Sequence, residues 1–292
     1  MADHRQLWYD SVASALGEEG YQWFVDRAEK RIAKCEECKG TGTVPREPKK
    51  FDLFSPYPQT TQACGHCTVY VNRLENFAQT YFHHMPAAYR QHTLSNLQPY
   101  EGTASVVSIE KQKTIIQMLK DFPEGGWSFF GPPHAGKTVW TSALYAHNLY
   151  RFFMGTSMAV ATDRNKINNK TAVWRDKAKI LLDQHTVWSM KRFDKDEDGA
   201  YCTDEPDITV EKIIKYRRLG VKSRLYLEEI DKVSLTEART ANLFEIIDTL
   251  HEEEGVVVIN SNLTPEEFTL RFGEQFTWRI NEHSKVINLF EE

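Results

Sequence analysis

Gly131-Pro132-Pro133-His134-Ala135-Gly136-Lys137-Thr138 follows the pattern G-x-x-x-x-G-K-[ST], a loop whose backbone N–H groups wrap phosphate oxygens. Each residue type has a physical reason. Gly131 and Gly136 let the chain curl tightly. Lys137 reaches the β- and γ-phosphates as a point charge, and Thr138 offers its hydroxyl to Mg²⁺. The flanks agree with this reading. Trp127, Ser128, Phe129 and Phe130 form a short apolar run, as a buried strand would. Trp140, Leu144, Leu149 and Phe152 recur at helical spacing after the loop. Strand, glycine-rich loop and helix in that order aim a helix N-terminus at the phosphate.

Bulk properties bound what surrounds this loop. The chain has 292 residues, enough for one large domain or two smaller ones, and its 41% hydrophobic and 12% aromatic content supplies a packed core. A net charge of −5 gives no global nucleic-acid footprint, so any such contact is local. No run approaches the length of a membrane span. The opening MADHRQLWYDS has no charged segment followed by an apolar one, so no secretory signal is expected. A cytoplasmic protein is the expectation.

Four of the five cysteines lie in two CxxC pairs, Cys35-Glu-Glu-Cys38 and Cys64-Gly-His-Cys67. In a reducing compartment such pairs indicate a metal rather than disulfides. Each turn brings two thiolates to one ion, and four thiolates make a closed tetrahedral Zn²⁺ site. His66 lies inside the second knuckle as an alternative ligand. The metal would stabilise a segment too short and polar to fold alone. Lys30, Arg31, Lys34, Lys39, Arg46, Lys49 and Lys50 make this region locally basic, either for single-stranded DNA or as a solvated face balancing its glutamates.

Periodicity organises the rest. Residues 4–33 read as helical, with breaks at Gly17 and Gly20, and residues 68–83 as a second helix ended by Pro86. Residues 86–103 read as an irregular linker and 104–121 as an amphipathic helix. The runs 157–162, 224–228 and 255–261 read as buried parallel strands, with helices over 207–218 and 236–251 between them. The predicted fold is therefore a three-layer α/β P-loop core with a parallel sheet over 104–292, preceded by a small helical zinc-binding domain over 1–85. Residues 165–207 look like an insertion. Asp194 to Glu205 within it begins like a calcium loop, but Tyr201 and Pro206 fit that pattern badly.

A nucleotide hydrolase needs acids on a strand beside the loop. Arg224-Leu225-Tyr226-Leu227-Glu228-Glu229-Ile230-Asp231 supplies them, with Glu228 for the Mg²⁺ shell and Glu229 to polarise water. Asp is the usual first acid, and the extra methylene of Glu228 moves its carboxylate out by ~1.5 Å. Asn262, with Asn260 as fallback, ends the next strand, where an amide can contact the γ-phosphate or the water.

In order, GPPHAGKT, LYLEEID, VINSNLTPEEF and FTWRI resemble the helicase-loader branch of the AAA+ ATPases, the DnaC, DnaI and IstB forms. The resemblance implies an ATPase core, with Asn262 as the sensing amide. It implies that Arg279, or alternatively Arg271, acts on a neighbouring subunit's ATP. The N-terminal zinc module is most similar to the DnaI layout. The implied cofactors are ATP, Mg²⁺ and Zn²⁺. The implied partners are a replicative hexameric helicase, single-stranded DNA and further copies of the chain when ATP is bound, with no membrane. No arginine follows Arg279, so a second sensing arginine is not visible. Two other readings stand beside the loader: an IstB-like transposition helper acting on duplex DNA, and a non-hydrolysing adaptor clamped by ATP.

Overall fold

In a computed structural model of the chain, the described residues are 4–45, 61–85, 87–100, 106–154, 224–232 and 237–290. The expected strand 157–162, the helix 207–218 and the insertion 165–207 lie outside them. The chain forms two compact units, Met1–Pro86 with Tyr150–Thr156, and Ala87–Leu149 with Ser157–Glu292.

Among the described residues, the core of the first unit is built on α1 (His4–Ile32) and α2 (Gly65–His84). Phe24, Ala28 and Ile32 of α1 and Val71, Leu74 and Ala78 of α2 are buried. Aromatic rings extend this core. Trp23 lies 5.4 Å from Phe77, which stacks on Tyr81 at the same centroid distance of 5.4 Å. The helix α1 breaks at Gly17, where φ is 64°. Gly20 does not break it, and a side chain there would press the Phe82 ring at 3.1 Å. Between the helices, β1 (Thr43–Pro45) and β2 (Thr61–Ala63) form an antiparallel ladder that brings the two CxxC turns together.

Among the described residues, the second unit holds four parallel strands in the order β4-β5-β3-β6, where β3 is Gly126–Phe130, β4 Arg224–Leu227, β5 Val256–Ser261 and β6 Ser284–Asn288. Every residue of β3 and β5 is buried, as expected for strands covered on both faces. On one face lies α4 (Lys137–Met154). Its Trp140 ring meets Phe129 at 5.8 Å, its Tyr145 meets Tyr226 at 5.3 Å, and Asn148 donates to the Tyr226 hydroxyl at 2.9 Å. On the other face lie α5 (Glu237–Glu252), α6 (Pro265–Phe272) and α7 (Glu274–His283). Phe130, Leu225, Leu227, Val257 and Ile259 pack there with Leu243, Ile247, Phe268, Phe276 and Ile280. The strand side chains alternate between the two helical layers, which makes the three-layer α/β core. Ahead of β3, α3 (Ile109–Asp121) starts at Ser108, whose hydroxyl accepts from the Lys111 N–H, and buries Ile115, Ile116 and Leu119. The edge strand β6 is an element that the sequence analysis does not anticipate.

Candidate nucleotide site and cysteine centre

The loop from Gly131 to Thr138 leaves the end of β3 and enters α4 at Lys137. Its conformation demands its glycines. Gly136 sits at φ 90°, in the left-handed region. Gly131 passes so close to Leu289 that a Cβ would stand 2.6 Å from the leucine Cβ. His134 also adopts φ 65° at the loop tip. Pro132 is half-buried, Pro133 is exposed and Ala135 is buried.

Lys137 lies in the mouth of this loop. Its buried ammonium donates to the Gly131 carbonyl at 2.6 Å, to the Pro132 carbonyl at 2.8 Å and to Asn262 Oδ1 at 3.0 Å. Phosphate oxygens would take the place of these acceptors. Asn262, just past β5, is itself held. Its N–H donates to Asp231 Oδ1 at 2.9 Å and its amide Nδ2 to Asp231 Oδ2 at 3.1 Å. That pairing fixes the amide so that its oxygen, not its nitrogen, faces Lys137. Sequence reasoning missed Asp231 as a positioning residue. The third acid of LYLEEID was the available signal.

Glu228 and Glu229 follow β4 directly. Parallel pairing of β4 with β5 sets Leu227 beside Ile259, so the two acids stand beside Asn260. Its Oδ1 accepts the Glu229 N–H at 2.5 Å. Glu229 takes φ 48°, which turns it away from the strand path. Burial pushes the Glu228 carboxyl up to about 8. The nearby Asn260 amide and Thr138 hydroxyl and the charge of Lys137 pull it back in part, while Glu229 adds to the rise. Its Oε1 is shut from solvent without a hydrogen-bond partner. A buried carboxylate oxygen lacking a donor, next to the Thr138 hydroxyl, fits a hard divalent cation with oxygen ligands such as Mg²⁺. Tyr89, which sequence reasoning also missed, has its phenol pushed up by burial and by the charges of Glu228 and Glu229.

Arg279 stands elsewhere, on α7. Its Nε is 2.7 Å from Asp248 Oδ1 of α5, and its guanidinium lies 4.9 Å from the Trp278 ring centre. It is thus tied within its own chain. Arg271 is exposed at the end of α6, 5.7 Å from the Phe272 ring.

In the first unit, the four cysteine sulfurs lie within 4.8 Å of one another. Cys35 and Cys64 are 3.8 Å apart, and Cys38 and Cys67 are 3.6 Å apart. Zinc–thiolate bonds in a tetrahedron separate sulfurs by about 3.8 Å, so the set fits Zn²⁺. The Gly42 N–H donates to Cys38 Sγ at 3.2 Å. Burial raises the Cys38 thiol, but that donor and the neighbouring thiols outweigh it and bring Cys38 down to about 7. Burial pushes Cys64 up to about 11, and Cys67 is raised further by burial and the crowding thiols. A cation at the centre relieves that crowding by letting the sulfurs ionise together. His66 faces Glu37, 3.1 Å from its Oε2, so it stands outside the four-sulfur set.

No family model and no curated protein matches this chain. Solved structures do resemble it. The DnaC helicase loader aligns at 14% identity with a TM-score of 0.40, covering 70% of this chain and 99% of that one. A putative primosome component from Streptococcus pyogenes serotype M3 aligns at 15% identity and a TM-score of 0.37, covering 70% and 89%. DnaI aligns at 15% identity and a TM-score of 0.37, covering 70% and 94%. The chain's structural neighbours include the DnaC helicase loader and DnaI.

Proposed function

We propose that the chain is an ATPase of the helicase-loader kind that works in DNA replication. The observation that carries the nucleotide reading is the Lys137–Asn262–Asp231 chain at the mouth of the 131–138 loop. A phosphate-reading lysine, a polar amide and its orienting acid converge from three separate segments. ATP binds with its phosphates in that loop, and Thr138 and Glu228 hold Mg²⁺, which neutralises phosphate charge. Glu229 orients and deprotonates the attacking water. Asn262 ranks the bound state by meeting either the γ-phosphate or the water. For Arg279 to stabilise charge on a neighbour's γ-phosphate, it must first give up Asp248.

The loader part of the reading rests on the motif order and on a cysteine centre suited to zinc ahead of the ATPase core. In this scheme the zinc module engages a replicative helicase, ATP-bound copies assemble, and the assembly delivers the helicase onto single-stranded DNA. No helix among the described residues is long and apolar enough to cross a membrane.

The test is the ATP turnover rate of zinc-loaded protein, alone, with single-stranded DNA and with duplex DNA. Stimulation by single strands, lost in Glu229→Gln, is the expected result. Stimulation by duplex alone would move the reading to a transposition helper. Tight ATP binding without turnover would make the chain a clamped adaptor.

A further inference from the structure

A second cluster of metal-binding side chains lies apart from both the nucleotide loop and the cysteines. His251 lies in the last turn of α5, while Glu282 and His283 end α7. His283 Nε2 stands 2.6 Å from His251 Nδ1, and Glu282 Oε2 stands 3.5 Å from that same Nδ1. One ligand atom from each residue falls within 4.8 Å of the other two. From this convergence we infer that the ends of α5 and α7 form a surface site for a first-row transition-metal dication of the zinc class, bound by two imidazoles and one carboxylate.

Three arguments carry the assignment. The donor set suits such an ion, since two histidines and a glutamate leave one tetrahedral position for water. All three residues sit in or at the last turn of their helices, where the carbonyl ends favour positive charge. The histidines also need little rearrangement. Two nitrogens on one zinc lie about 3.3 Å apart, so the rings must separate by under ~1 Å. Glu282 and His283 are exposed and His251 is partly so, which leaves the rings room to move. The ion would staple α5 to α7 one turn from the Asp248–Arg279 pair, which spans the same two helices. This site does not depend on whether the chain hydrolyses ATP.

The test uses full-length protein already loaded at its cysteine centre, without nucleotide, at pH 7.5. It is titrated with Zn²⁺, and separately with Ni²⁺, by calorimetry. The expected result is one further equivalent bound in the micromolar range. The Trp278 ring lies 6.2 Å from the His251 ring, so Ni²⁺ should also quench a part of the tryptophan emission that Trp278→Phe removes. His283→Ala, at an exposed position, should weaken the further equivalent at least tenfold, His251→Ala should do the same, and Glu282→Gln should weaken it less. Failure of wild-type protein to take up a further equivalent would overturn the site. So would an equivalent that persists unchanged in His251→Ala and His283→Ala.

Discussion

At the residue scale, the proposed nucleotide site depends on side chains that are held before any ligand arrives. Asp231 grips both nitrogens of Asn262, which leaves the amide oxygen facing Lys137. Asp231→Ala is expected to leave ATP affinity within a few-fold and to lower kcat at least tenfold, because misorienting one amide removes an interaction used in the transition state. Pre-steady-state turnover alongside equilibrium nucleotide binding separates the two effects. Glu228 gives a pH signature. Its folded value of about 8 stands above the ordinary 4.5, so the folded, metal-free protein holds a proton that the unfolded chain releases. That favours folding below the ordinary value relative to high pH, and the advantage is lost as pH rises through about 8. Glu228→Gln, free of nucleotide and metal, should therefore gain thermal stability over wild type as pH climbs from 5 to 9. A gain that does not change across that range would contradict the burial of this carboxyl.

At the element scale, local sequence rules and tertiary placement contribute separately. The helix α6 begins with a reciprocal cap: Thr264 accepts from the Glu267 N–H, and the Glu267 carboxylate accepts from the Thr264 N–H. Thr264→Ala should cost ~1 kcal/mol of stability in denaturant unfolding. The α1–α2 unit has a short ladder and a modest core, so its order should depend on the metal. Chelation, or Cys67→Ser, should release one zinc and lower the far-ultraviolet helical signal, with the P-loop unit's nucleotide binding retained. Helices were largely legible because their apolar spacing is strong: 68–83 was expected where α2 runs Gly65–His84, and 236–251 where α5 runs Glu237–Glu252. The strand β6 was not. It is five residues long and half-exposed at the sheet edge, so Ser284–Asn288 has no continuous apolar run to announce it. The sequence alone marks Gly20 as a break, yet it stays inside α1, where its lack of a side chain admits the Phe82 ring.

At the scale of the whole molecule, what the sequence made legible is chemistry carried by contiguous residues. The parallel α/β core, the loop and the two CxxC turns could all be read because each motif is local. The role of Asp231 could not, because it depends on how the end of β4 is placed beside the end of β5. Nor could the Arg279–Asp248 tie, which joins residues far apart on two helices. That tie sets an expectation for assembly. If ATP-bound copies assemble as proposed, Asp248→Ala should shift that assembly to lower protein concentration in analytical ultracentrifugation, since the arginine no longer has to leave its own chain's acid. The central claim is that the 131–138 loop holds a nucleotide that Glu229 helps to hydrolyse. Equilibrium Mg²⁺·ATP binding paired with single-turnover hydrolysis, in wild type, Lys137→Ala and Glu229→Gln, tests it most directly. The account predicts that Lys137→Ala loses binding, while Glu229→Gln binds like wild type and does not hydrolyse. Binding and hydrolysis undiminished in both variants would contradict it.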